Sequence, residues 1–203
     1  VCALGALLLA AAVALLPAAR AADAGHPAEK VVREAAEKVL ARLEAEKNVI
    51  ESNPGRVYDL AQSIILPHFD FERMSRWVLG RHWRDASETQ RQRFTEEFRT
   101  LLVRTYARAL AEYSEQEVEF LATRERSEDD VQVRTEVRQS GGPPIPIHYS
   151  MHRTDGSWKV YDVTIDGISL VTNYRSAFSS QIRQGGVERL IDRLAERNAA
   201  LRS

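Results

Sequence analysis

Apolar residues recur along this chain with two different periods, and the switch between them divides it. From Pro27 to Ile50, Val32, Ala35, Ala36, Val39, Leu40 and Leu43 fall at helical spacing with charged residues between them. Asn53-Pro54 then reads as an N-cap with proline at the first helical position, and Val57, Leu60, Ala61, Ile64 and Ile65 share one face up to Pro67. Asp70 is placed to cap a short helix carrying Met74, Trp77 and Val78, closed by Gly80. Ser87-Glu88-Thr89-Gln90 has the form of a capping box. The long helix behind it carries Phe94, Phe98, Leu101, Leu102, Thr105, Tyr106 and Ala109 on a face wide enough to touch two neighbours.

From about Val118 the period becomes two. Val131, Val133, Thr135 and Val137 alternate with polar residues, as do Ile145, Ile147, Tyr149 and Met151, with Gly141-Gly142-Pro143-Pro144 turning between them. A third run, Trp158 to Ile165, follows the Asp155-Gly156 turn. Strict alternation puts Trp158 and Val160 on one of its faces and Tyr161, Val163 and Ile165 on the other. After the turn pair Asp166-Gly167 the helical period returns, from Ser169 to about Arg183 and from Val187 to about Asn198, with Gly185-Gly186 between. The pattern predicts an α+β fold: helices packed on a curved antiparallel sheet of about four strands. Such a meander crossed by helices can enclose an apolar cavity in place of a solid core.

The first residues belong to neither pattern. Ala3 to Leu16 is a short apolar run, followed by Pro17 and by Ala19-Arg20-Ala21, the form of a secretory signal with its cleavage region; an uncleaved anchor is the alternative. The expected division is a signal peptide at 1–21 and one domain at 22–203, with its helical part at about 28–112, the sheet at about 117–166 and C-terminal helices at about 169–198. Cys2 is the only cysteine and would leave with the signal, so disulfides, thiolate metal sites and thiol catalysis are excluded from the mature chain. Lys and Arg number 28 against 29 Asp and Glu, a balance that gives no electrostatic case for nucleic acid.

Candidate chemistry is sparse. His148 and His152 lie four residues apart in a strand, roughly 13 Å, too far to share an ion, and read as surface histidines. His68 and His82 stand alone, so no metal or cofactor is expected. No serine sits in a nucleophile elbow and no glycine-rich phosphate loop follows a strand. Asp162 or Asp166, near Tyr149 and Tyr161, could serve as the base of an isomerase-like enzyme; the plainer reading gives Asp166 to the turn and Asp162 to a sheet edge. Arg73, Arg76, Arg81 and Arg84 gather around Trp77 and Trp83, as at a docking surface or on a solvated face.

Two long stretches carry a resemblance: FDFERMSRWVLGRHWRDASETQRQRFTEEFRTLLVRTYARAL (Phe69 to Leu110) and WKVYDVTIDGISLVTNYRSAF (Trp158 to Phe178). They resemble the toluene-tolerance family, the periplasmic phospholipid-binding shuttles of the Mla lipid-asymmetry pathway. The resemblance implies a nuclear-transport-factor-two-like fold with acyl chains inside and the headgroup near the mouth. It implies a monomeric carrier of glycerophospholipid, working between an outer-membrane lipoprotein complex and an inner-membrane ABC transporter, with no cofactor and no bond chemistry. Carried onto this sequence, it points to Phe98, Leu102, Tyr106, Tyr149, Met151, Val163, Ile165, Ile168 and Val171 as lipid-binding walls. Arg76, Arg81 and Arg84 are the candidates for partner docking. A periplasmic chaperone for lipoproteins would also use an apolar cavity and is the other non-enzymatic reading.

Overall fold

The computed structural model describes residues 25–112, 117–138 and 142–200 of the 203. The expected signal peptide, Cys2 and Gly141 lie outside the described residues, as does the side chain of Ala109. Helix α1 spans Pro27–Ala45, with proline in its first turn, where no intrahelical N–H is needed. Nδ1 of His26 accepts from the Ala28 N–H at 3.1 Å in place of the usual hydroxyl or carboxylate cap. The helix expected to reach Ile50 breaks at Glu46 (φ −108°), and α2 follows at Lys47–Ser52. Asn53 closes α2 instead of opening the next helix: its Oδ1 accepts from the Gly55 N–H at 3.2 Å, so α3 begins only at Arg56 and ends at Leu60.

A π-helical turn, Ala61–Ile65, and a 3-10 turn, Leu66–His68, then bring the chain to the sheet. The next signals form as the sequence predicts. Oδ1 of Asp70 accepts from the Arg73 N–H at 2.8 Å and opens α4, Phe71–Leu79, and Gly80 at φ 56° ends it. After α5, His82–Asp85, Ser87 and Gln90 exchange side-chain bonds at 3.0 and 3.2 Å to open α6, Glu88–Glu112.

The sheet is an antiparallel meander in chain order: β1 Glu117–Ser127, β2 Asp130–Arg138, β3 Ile145–Thr154, β4 Ser157–Ile165 and the two-residue β5 Ile168–Ser169. Asp166 (φ 49°) and Gly167 (φ 79°) are the two left-handed residues of the hairpin joining β4 to β5. The helical span α7, Leu170–Ala200, is interrupted at Gly186 (φ 78°, ψ 176°), where the two expected C-terminal helices meet at a kink.

One irregularity corrects the expected facing of β4. Ser150 pairs with Asp162 and Met151 with Val160, which leaves Tyr161 as an extra, bulged residue. Beyond the bulge the alternation resumes one residue out of step. Val163 and Ile165 therefore join Trp158 and Val160 on the face that meets α1, and Tyr161 is set apart from them. The phenol of Tyr161 donates to Oδ2 of Asp130 at 2.8 Å, and its ring lies beside Trp77. His152, expected at the surface, is buried near the same bulge, with Nε2 2.8 Å from Asp70 and Nδ1 3.2 Å from Arg73.

Apolar side chains gather in three clusters. One lies among α4, α5, α6 and α7 around Phe94, Phe98, Phe178 and Ile191. A second joins Ala28 and Val32 of α1 to Val131, Val133, Met151, Val160 and Val163 of the sheet. The third joins Val39 and Leu43 of α1 to Val57, Leu60, Ile64 and Ala107. Helix α1 thus anchors its first half in one core and its second half in another.

Candidate functional site

Between those two anchorages α1 presents its smallest apolar residues, Ala35 and Ala36, and the space beneath them is not filled. The result is a cleft of about 160 Å³ running under the helix. Its roof is Val31, Val32, Ala35, Ala36, Val39, Leu40 and Leu43. Its floor is Val118 of β1, Val137 of β2, Ile147 and Tyr149 of β3 and Val160 of β4, with Ile65, His68 and Phe69 along one flank. At about 1.5 Å rise per residue, the Val31–Leu43 stretch is roughly 18 Å long.

The chemistry of the lining is uniform. Tyr149 and His68 are the only lining side chains with polar atoms. Burial pushes the Tyr149 phenol up, so it stays a neutral donor. Burial also holds His68 below its ordinary value, helped by the charges of Lys159 and Lys38 and opposed by Glu34. An apolar space of this kind gains nothing from water and accepts hydrocarbon. Among the described residues no three His, Cys, Asp or Glu side chains converge as metal ligands.

The carboxylates considered for catalysis have structural work elsewhere. Asp162 accepts from Ser169 Oγ at 2.6 Å and from the Val171 N–H at 3.1 Å, so it caps the start of α7. Asp166 sits in the left-handed turn, its N–H donating to the Pro146 carbonyl at 3.0 Å.

Of the nine wall positions expected from the sequence, Tyr149 alone lines this cleft. Met151, Val163 and Ile165 belong to the sheet cluster beside it. Phe98, Leu102 and Val171 are buried in the helical cluster. Tyr106 bridges those two clusters, and burial, with Tyr174 alongside, raises its phenol to about 12. Ile168 is 60% exposed at the β4–β5 hairpin and does not line the cleft. Seven of the lining residues come from α1, whose apolar stripe the sequence displays without showing what it faces.

The docking candidates remain on the surface. Arg76 pairs with Glu72 at 3.1 Å and lies over the buried ring of Trp83, while Arg81 and Arg84 are exposed around α5. Trp77, 46% exposed, stacks near Tyr161 with Arg73 over both rings.

A solved phospholipid-binding protein from Ralstonia solanacearum, in complex with a phospholipid, matches with a TM-score of 0.80 at 34% identity, covering 88% of this chain and 100% of that one. The toluene tolerance protein ttg2D of Pseudomonas putida is 30% identical over 183 residues, 90% of this chain and 83% of the relative. The intermembrane phospholipid transport system binding protein MlaC of Haemophilus influenzae is 25% identical over 170 residues, 82% of this chain and 79% of the relative. The family model described as MlaC protein matches residues 33–196, and with most of its length so matched the chain belongs to the MlaC family.

Proposed function

We propose that this protein is a periplasmic carrier of glycerophospholipid, which holds acyl chains in the cleft beneath α1 and moves lipid between an outer-membrane lipoprotein complex and an inner-membrane ABC transporter. The observation that carries the reading is the cleft itself: an unfilled, almost wholly apolar space whose roof is one amphipathic helix spanning two separate cores. The phospholipid bound to the Ralstonia protein and the transport role in the Haemophilus relative's name support it.

Energetics make a carrier necessary. Two acyl chains hold about 30 methylenes, and at about 0.8 kcal/mol each their exposure to water costs on the order of 24 kcal/mol. Free diffusion of such a lipid between membranes is therefore negligible. A protein that buries the chains removes that barrier and makes or breaks no bond. The engagement of Asp162 and Asp166 in a helix cap and a turn favours this over an isomerase reading. In the same proposal, Tyr149 and the α1 stripe form the wall, Met151, Val163 and Ile165 back it, and the Arg76, Arg81 and Arg84 surface meets a partner.

The test is transfer of fluorescent phosphatidylethanolamine from donor to acceptor vesicles. Added protein accelerates transfer in proportion to its concentration, without nucleotide, and mass spectrometry recovers the lipid unchanged. No acceleration, or recovery of a modified lipid, contradicts the carrier.

A further inference from the structure

The two flanks of the cleft differ in how their charges are matched. Near the start of α1 the cations have partners: Arg33 bonds Glu29 at 2.7 Å and lies over Phe120, and Lys30 is 3.7 Å from Glu34. Beside His68 the balance is reversed. Lys159 Nζ donates to the Pro67 carbonyl at 2.6 Å, which places its ammonium one residue from His68 and leaves two of its three N–H donors unused. Lys38 stands on the exposed side of α1, between the cleft residues Ala36 and Val39, and makes no ion pair or hydrogen bond among the described residues. Among the described residues the carboxylate acting on His68 is Glu34, already held by Lys30.

We infer that Lys38, His68 and Lys159 form a phosphate seat at the flank of the cleft, where the phosphodiester of a bound lipid rests while its acyl chains lie under α1. The inference rests on the carrier reading and adds to it a recognition element for the headgroup. His68 is where the lining changes from hydrocarbon to polar, which is where a lipid changes character too. Two ammonium groups without carboxylate partners supply charge-assisted donors to an anion, and the imidazole between them supplies a third once it takes up a proton. Burial and the two lysines keep that imidazole neutral in the empty protein, so an arriving phosphate, by offsetting the lysine charges, raises its proton affinity.

The experiment compares two soluble probes with the same chains, dihexanoyl phosphatidylglycerol and dihexanoylglycerol, binding to delipidated protein. Lys38→Gln/Lys159→Gln weakens phosphatidylglycerol roughly tenfold and leaves dihexanoylglycerol unchanged, since two exposed charge contacts of this kind are together worth about a factor of ten. Lys38→Gln alone, which disturbs no contact of the fold, weakens phosphatidylglycerol about threefold. The His68 ring titration, followed by NMR, moves up with phosphatidylglycerol and stays in place with dihexanoylglycerol and with inorganic phosphate. Equal losses for the two probes, no loss for either, or an inorganic phosphate effect as large as the lipid's would overturn the seat. Wild type that binds neither probe would overturn the carrier reading as well, which separates the two failures.

Discussion

Asp162 holds the start of α7 with both carboxylate oxygens, one on Ser169 Oγ and one on the Val171 N–H. Replacing it by alanine removes both bonds from the first turn of α7, which keeps the Ser169 Oγ cap on the Thr172 N–H at 3.1 Å, and lowers stability by about 1–2 kcal/mol. Asp166→Asn costs little, because asparagine also adopts the left-handed turn. Thermal melts read both effects, and lipid transfer by the folded fraction is unchanged in each; loss of transfer by folded Asp166→Asn protein would revive an enzymatic role. At this scale the sequence was legible wherever the chemistry is local. Asp70, the Ser87 and Gln90 pair and the Asp166-Gly167 turn act on their own neighbours, and all were readable. Tyr161 was not. Nothing in a run of alternating residues marks which one will bulge, since the bulge depends on the pairing partner, and a single extra residue reassigns Val163 and Ile165 to the other face. The burial of His152 has the same origin, because its partners Asp70 and Arg73 lie about 80 residues away in sequence.

Helix α1 is the element on which the account turns, and its ends are fixed by different means. Its C-terminal end is clamped by Glu46, which accepts from Arg42 and from Arg56, the latter at 2.6 Å. Those hydrogen bonds, Arg56 first, lower the Glu46 carboxyl from 4.5 to about 2. A carboxylate with a lowered folded-state value stabilises fully above its unfolded value and loses that contribution as pH falls through the folded one. The stability difference between wild type and Glu46→Gln is therefore constant above about pH 4.5 and closes as pH falls towards 2, in denaturant titrations at each pH. In α7, Gly186 is at φ 78° with open space where a Cβ would stand. At ψ 176° this is a region open essentially only to glycine, so Gly186→Ala costs its backbone conformation, about 1–3 kcal/mol in urea unfolding. The amphipathic stripe of α1 was plain in the sequence, as were α4, α6 and the strands. What the stripe packs against was not, because period reveals that a face is buried and not whether the burying surface is continuous.

Taken whole, the molecule is an antiparallel meander with one helix bridging two cores, and the cleft exists because those cores do not meet beneath it. Neither core alone predicts this. Phe98, Leu102 and Val171 are as apolar as any cleft residue, yet they lie buried in the helical cluster and do not line the cleft. Apolarity marked both places alike; only the three-dimensional gap distinguishes them. The alanines of α1 are what keep the gap open, so the most direct test of the account fills it. Native mass spectrometry of the protein purified from a phospholipid-containing host should find wild type carrying intact diacyl phospholipid, and Ala36→Phe, with its folded charge-state distribution retained, at the mass of the empty chain. Ala36→Phe protein that keeps as much phospholipid as wild type would contradict the placement of the acyl chains beneath α1.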